Sequence, residues 1–216
     1  MTLLSSMGGG ALTKKTQLFT TSGTFTPSAG LLKAGGRVEL DLRGGGGAGG
    51  WGYQTTGSAA AGGGSSRWLT EAIVTGATAV IIGAGGAGNG SYSTRGGNGS
   101  SSSFGVISCP GGKGGSGVNN SGGFQSGSAP GVGGGPDGMP GYPSTMGGST
   151  TAYGHCAGGN GGGPGGGSGG QEISGVSKLA EPPHPNTGAG GGSCNIGNNA
   201  TDGSGADGMC LVTWWE

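Results

Sequence analysis

RVELDLRGGGGAGG, residues 37–50, decides the fold. Its first half alternates strictly, with Val38, Leu40 and Leu42 on one side and Arg37, Glu39, Asp41 and Arg43 on the other. A period of two predicts a half-buried strand. Its second half, Gly44 to Gly50, has almost no side chains at all. The unit recurs along the chain. Residues 68–74 form a strand candidate, and after Gly76 a second, 79–82, enters GAGGAG at 83–88. Residues 103–107 lead towards GGKGGSG at 111–117, and 208–215 form a closing strand after GSGADG. Its Trp214 and Trp215 should face opposite ways. Ser22-Gly23 and Pro27 to Gly30 read as turns.

The chain has 216 residues, 64 of them glycine and 10 proline. Glycine is thus roughly four times its usual frequency. Leu, Ile, Val and Phe together number only 29, too few for a conventional core. Interior glycine costs about 1 kcal/mol relative to alanine in a helix, so essentially no α-helix is expected. Nine basic residues balance nine acidic ones. That balance removes the charge excess typical of disorder and the Lys/Arg clusters that nucleic acid requires. No apolar run of about 18 residues occurs, so no membrane insertion is expected. Met1 to Lys15 has its charges after the apolar residues, the wrong order for a secretory signal, so synthesis in the cytoplasm is expected. Cys109, Cys156, Cys194 and Cys210 form no C-x-x-C, and reduced, buried thiols are expected.

A glycine run can be a flexible linker or a polyproline-II helix with three residues per turn. A lone helix of the second kind leaves every amide to water. Several packed side by side can bond backbone to backbone, provided no side chain intervenes. Runs 83–88 and 111–117 carry a period of three, whereas 158–170 is interrupted every fourth residue, which excludes collagen. The expected fold is therefore mainly irregular and all-β: short β-strands plus packed polyglycine-II helices. Runs 44–50, 83–88, 111–117, 158–170 and 188–192 should form a rigid frame. Residues 1–16 read as a leader or attachment segment and 17–216 as one glycine-rich domain.

Catalytic motifs fail on inspection. Gly83, Gly85 and Gly88 spell G-x-G-x-x-G, but NGSYSTRGGNG follows where a helix is needed. Residues 166–170 match G-x-S-x-G without a strand–turn–helix around the serine. Lys113 lacks the following Ser/Thr of a phosphate loop. His155 and His184 have no zinc-ligand spacing. No nucleophile, base and orienting group come together, so no enzyme, cofactor or metal is expected.

FTTSGTFTPSAG at 19–30, the alternating strand into GGGGAGG, the strand into GAGGAG, GNGSSSSFG at 97–105 and GADGMCLVTWW at 205–215 occur in an order that resembles the glycine-rich domain of bacteriophage tail proteins. The resemblance spans roughly residues 17–216. It extends more loosely to tail-fibre tip adhesins, in which layered polyglycine-II helices carry loops that contact the host. It implies a virion tail-fibre or tail-tip protein that recognises a bacterial surface receptor, whether outer-membrane protein, glycan or pilus. It also implies other phage tail proteins as partners and a place in the virion tail. A purely structural tail-tip or fibre-cap component is the alternative. A homotrimer is allowed, with Arg37–Arg43 as a strand that could pair across subunits. The receptor-binding candidates are the aromatic residues of the inserts, Trp51, Tyr53, Tyr92, Phe124, Tyr142 and Tyr153, together with His155. Aromatic rings offer large contact area at low entropic cost. The inserts at 51–61, 118–130 and 136–157 should gather at one end of the frame.

Overall fold

The computed structural model describes residues 12–50, 63–88, 95–117, 130–142, 145–146, 156–157, 162–169, 171–173, 176–178, 181–193 and 203–216. The alternating strands build a small sandwich. One sheet has the order β1 (Lys14–Phe19), β12 (Met209–Trp215), β3 (Arg37–Arg43), β4 (Trp68–Ile73). The other has the order β2 (Gly23–Phe25), β5 (Thr78–Ile81), β6 (Ser102–Phe104), β7 (Ile107–Cys109). Both are antiparallel throughout.

Pairing Leu42 with Cys210 and Leu40 with Val212 puts the apolar residues of β3 and β12 on one face. They meet Phe25, Val80, Phe104 and Cys109 of the second sheet in one buried cluster. Phe25 crosses the gap, with its ring centroid 5.4 Å from that of Trp214 and 5.7 Å from that of Phe104. Each fully buried large side chain contributes roughly 1.5–3 kcal/mol. Trp214 packs inward and Trp215 is exposed, as alternation requires.

Residues 27–30 depart from the expected turn. Ser28 caps a single-turn helix α1 (Ala29–Lys33), its hydroxyl accepting from the Leu31 N–H at 3.0 Å. Burial of Leu31 in the sandwich core holds that turn in place. Residues 103–107 also depart from expectation. Gly105 has φ +56° and turns the chain back, giving the hairpin β6–β7 instead of one strand. β3 is an interior strand flanked by β12 and β4, so its backbone is not open to another subunit. β1 begins at Lys14, inside the stretch read as leader.

Beyond the sandwich the strands run into the glycine array. The 44–50 run, continuing β3, lies at its centre and is buried throughout. The Gly45 and Ala48 N–H groups donate to the carbonyls of Ser100 (2.8 Å) and Gly97 (2.9 Å). Gly46 and Gly49 donate to Ala206 (2.8 Å) and Gly203 (2.7 Å), and Gly47 donates to Gly64 (2.8 Å). In return, the carbonyls of Gly45 and Ala48 accept from Gly112 and Gly115, that of Gly46 from Gly86 and that of Gly47 from Gly191. Partners recur every third residue, the period of polyproline II. Three runs receive bonds from the centre and three others give them.

The six neighbours also bond to one another around the circle. Gly99 donates to Gly112, Gly64 to Lys113, Ser66 to Gly188, Ala206 to Ala189, Gly205 to Gly86 and Ser100 to Ala84. Seven runs thus form a hexagon with one at its centre. Adjacent runs of the ring are antiparallel: Gly97 meets Ala87 and Ser100 meets Ala84, and likewise Ser66 meets Gly188 and Gly63 meets Gly191. Close packing explains the composition. A Cβ on Gly47 would overlap the Lys113 carbonyl, and one on Gly49 the Gly192 carbonyl.

Two further segments lie outside the ring. Residues 131–135 cover the 63–66 and 111–117 runs, through Lys113 N–H to Val132 (2.9 Å) and Arg67 N–H to Gly134 (3.0 Å). Residues 166–169 lie along 188–193, with Gly167 donating to Gly190 at 3.0 Å. The 158–170 run is therefore not one straight helix. Gly163 and Gly165 take positive φ on either side of Pro164, and Gly166 N–H closes a turn onto Gly163 at 3.0 Å. A third antiparallel sheet joins β8 (Thr145–Met146), β9 (Cys156–Ala157), β10 (Gln171–Ile173) and β11 (Val176–Lys178), in the order β11-β10-β9-β8. Among the described residues, no helix is long and apolar enough to cross a membrane.

Candidate functional site

The array has two unlike ends. At one end β3, β4, β5, β6, β7 and β12 enter or leave the sandwich. At the other end sit the residues that bracket six segments between positions 51 and 202. The insert read as 136–157 begins instead at the sandwich end, where the Asp137 carboxylate accepts from the Leu69 N–H of β4 at 2.8 Å and the Asp137 N–H donates to the Arg67 carbonyl at 3.1 Å. Gly50 and Gly63 bracket 51–62, Gly88 and Arg95 bracket 89–94, and Gly117 and Pro130 bracket 118–129. Tyr142 and Gly162 bracket the segment carrying β8 and β9, Gly169 and Glu181 the segment carrying β10 and β11, and Ser193 and Gly203 bracket 194–202. Cross-run bonds fix this common level: Gly49 to Gly203 (2.7 Å), Gly96 to Gly115 (2.9 Å) and Gly162 to Gly63 (2.9 Å). Antiparallel ring neighbours make this necessary. A chain that goes out on one run and returns on the next must turn at the same end each time.

The first and last described residues lie elsewhere. Thr13 and Glu216 pair backbone to backbone at 2.8 and 3.1 Å, where β12 finishes its course away from the array. The Glu216 carboxylate also accepts from the Ser28 hydroxyl. The residues that bracket the six segments and both ends of the described chain thus lie at opposite poles.

Of the aromatic candidates, Tyr142 is described and is 52% exposed. It closes a return leg in which Met139 N–H donates to Ser65 Oγ (2.9 Å) and Gly141 N–H to the Gly131 carbonyl (2.9 Å). Val132 and Met139 on the same hairpin are also exposed. Trp51, Tyr53, Tyr92, Phe124, Tyr153 and His155 lie outside the described residues. The described residues that flank those segments lie at the same end as Tyr142. Among the described residues, no three His, Cys, Asp or Glu side chains cluster as metal ligands would.

A charged junction ties sandwich to array. Asp41 accepts from Arg43 (3.1 and 2.8 Å) and from Arg67 (3.1 and 2.9 Å). Arg43 also donates to the Thr187 carbonyl at 3.3 Å. Burial alone would raise the Asp41 pKa, but the hydrogen bonds from Arg43 and Arg67 outweigh it and hold the carboxyl below its ordinary value. Both fork-shaped donors are engaged on one carboxylate, which makes this cluster a clamp for β3, β4 and residue 187. Burial pushes the Cys109 thiol up and the Cys210 thiol up to about 12. Both are free and buried, so neither is a nucleophile at neutral pH.

The family follows from the whole pattern, since the match covers sandwich and array together. The glycine-rich domain family matches residues 20–215. The chain belongs to it. No curated protein matches the chain. In this glycine-rich domain, several parts of the frame escape a search for uninterrupted glycine. The 63–66, 95–101 and 203–208 runs read GGSS, RGGNGSS and GSGADG, yet all three belong to the central hexagon. In the last two the signal is glycine at every third position, as Gly96 and Gly99 face inward while Arg95, Asn98 and Ser101 are exposed; in GGSS the place three residues after Gly63 is taken by the buried Ser66. The Asp41 clamp left no such signal, because Arg67 is 26 residues away in sequence.

Proposed function

We propose that this glycine-rich domain is part of a bacteriophage tail fibre or tail tip and recognises a bacterial surface receptor through the inserts at one end of its glycine array. One observation supports this reading above the others: the residues that bracket these six segments share one pole, and Thr13 and Glu216 pair at the opposite one. A protein held by one pole presents the other, and rigid scaffolds commonly carry binding on clustered loops. Tyr142, together with Trp51, Tyr53, Tyr92, Phe124, Tyr153 and His155, supplies the contact surface in this reading. Protein, glycan or pilus are the receptor classes such a surface meets. The reading contains no catalytic step, cofactor or nucleic acid.

The test is direct. Fluorescently labelled protein is applied to cells from a panel of bacterial strains. Saturable attachment to a subset of strains, competed by unlabelled protein and abolished when the 51–62 and 118–129 inserts are exchanged for Gly-Ser linkers of equal length, supports receptor recognition. Attachment to none of the strains that a phage carrying this protein infects would overturn it in favour of a structural cap.

A further inference from the structure

We infer that Asp207, Ser204 and Asn98 terminate the glycine lattice, holding its outer grooves shut against a glycine run from a second copy of this chain. A hexagonal lattice has no natural boundary. Each ring run points some backbone amides outward, towards the position a further run would occupy. Two such positions are filled from within the chain, by residues 131–135 over the 63–66 and 111–117 runs and by 166–169 along 188–193. These filled positions show which occupant the lattice accepts.

Other grooves are not covered by a run among the described residues, and side-chain oxygens stand at the outward amides there. Gly85 N–H donates to Asp207 Oδ1 at 2.8 Å, and Gly88 N–H donates to Ser204 Oγ at 3.2 Å. Gly85 and Gly88 are one turn apart on their run. Asp207 and Ser204 are one turn apart on the antiparallel neighbour, so the two caps repeat with the lattice along one groove. Between the 95–101 and 111–117 runs, Gly114 N–H donates to Asn98 Oδ1 at 3.0 Å. Asp207 and Asn98 are exposed, and at such sites water alone would satisfy an amide. The caps do something water does not: they occupy the bonding position. An open row of backbone donors is a template for another chain, as on a bare sheet edge. Asp207 adds a charge that a docking run would have to desolvate.

The experiment compares the wild-type chain with Asn98→Ala/Ser204→Ala/Asp207→Ala by sedimentation velocity at matched concentrations. The expected result is at least a doubling of apparent mass in the variant, with amide exchange at Gly85 slower in the assembly than in its dilute form. Asp207→Asn keeps an accepting oxygen and should sediment as wild type. A folded triple variant of unchanged mass would overturn the inference. So would assembly of Asp207→Asn, which would assign the effect to charge. If the triple variant does not fold, Ser204→Ala/Asp207→Ala tests the single groove. Failure of that variant to fold would also overturn the inference, because the caps would then hold the array together and not bound it.

Discussion

Gly47→Ala adds one methyl group at the centre of the hexagon. Its Cβ would overlap the Lys113 carbonyl and lie 2.8 Å from Gly114 N. Carbon atoms rest at about 3.5 Å or more, so the 44–50 and 111–117 runs must part by on the order of 1 Å. That movement pulls on Gly112 to Gly45 (2.9 Å), Gly115 to Ala48 (2.9 Å) and Gly64 to Lys113 (2.9 Å). Each buried polar group left unmet costs roughly 1–3 kcal/mol, so a loss of at least about 3 kcal/mol is expected. Alanine restricts the unfolded chain and returns only about 0.4–1 kcal/mol, so destabilisation wins. Gly76→Ala is the control, since nothing lies within 4 Å of its added methyl. Urea unfolding should move the Gly76→Ala midpoint by no more than about 0.5 kcal/mol equivalent. If the Gly47→Ala midpoint coincides with that of Gly76→Ala at equal slope, the close-packed array is refuted.

Three further outcomes are expected. Tyr142→Ala should lower attachment in the cell-binding assay while leaving the urea midpoint within about 0.5 kcal/mol of wild type, because the ring is 52% exposed. Asp41 is held below its ordinary pKa, so its contribution is present above the unfolded-state value and lost as pH falls through the folded one; denaturation followed across the acidic range should show this loss, and Asp41→Asn should flatten it while costing about 2 kcal/mol at neutral pH. Cys109 and Cys210 should resist iodoacetamide at pH 8 in the native protein and label on unfolding, read peptide by peptide in the mass spectrometer. Rapid native labelling at either would contradict their burial.

Local pattern made β3, β4, β5 and β12 legible, whereas β1, β2 and the β8–β11 sheet were not read as strands, and lateral contacts decided the rest. Val38, Leu40 and Leu42 announce β3 because a period of two is written in consecutive residues. The turn at Gly105 is nearly silent, since one glycine among sixty-four carries no distinguishing signal. The polyglycine-II geometry was legible from the runs of unbroken glycine. The hexagon was not, because its order depends on which residue faces which neighbour. GGSS at 63–66 looks like linker, yet Ser66 Oγ accepts the Gly44 N–H at 2.9 Å just where the array meets the sandwich. Within the candidate site, the aromatic content of the inserts could be read directly. A common end for them was expected from the sequence, and the antiparallel order of the ring places the residues that bracket 51–62, 89–94 and 118–129 there.

The two halves of the molecule also differ in how they meet temperature. The sandwich hides phenyl, isobutyl and isopropyl groups, whose exposure on unfolding raises the heat capacity by about 0.45 cal/K/mol per Å². The hexagon hides mostly amides, whose exposure lowers it by about 0.26 on the same scale. In a chain with so much of its interior in the second form, the opposing contributions cancel far more than in an ordinary domain. The stability curve becomes broad and shallow-sided, with its cold limb pushed to lower temperature. A frame built from backbone therefore keeps nearly the same stability over a wide span of temperature.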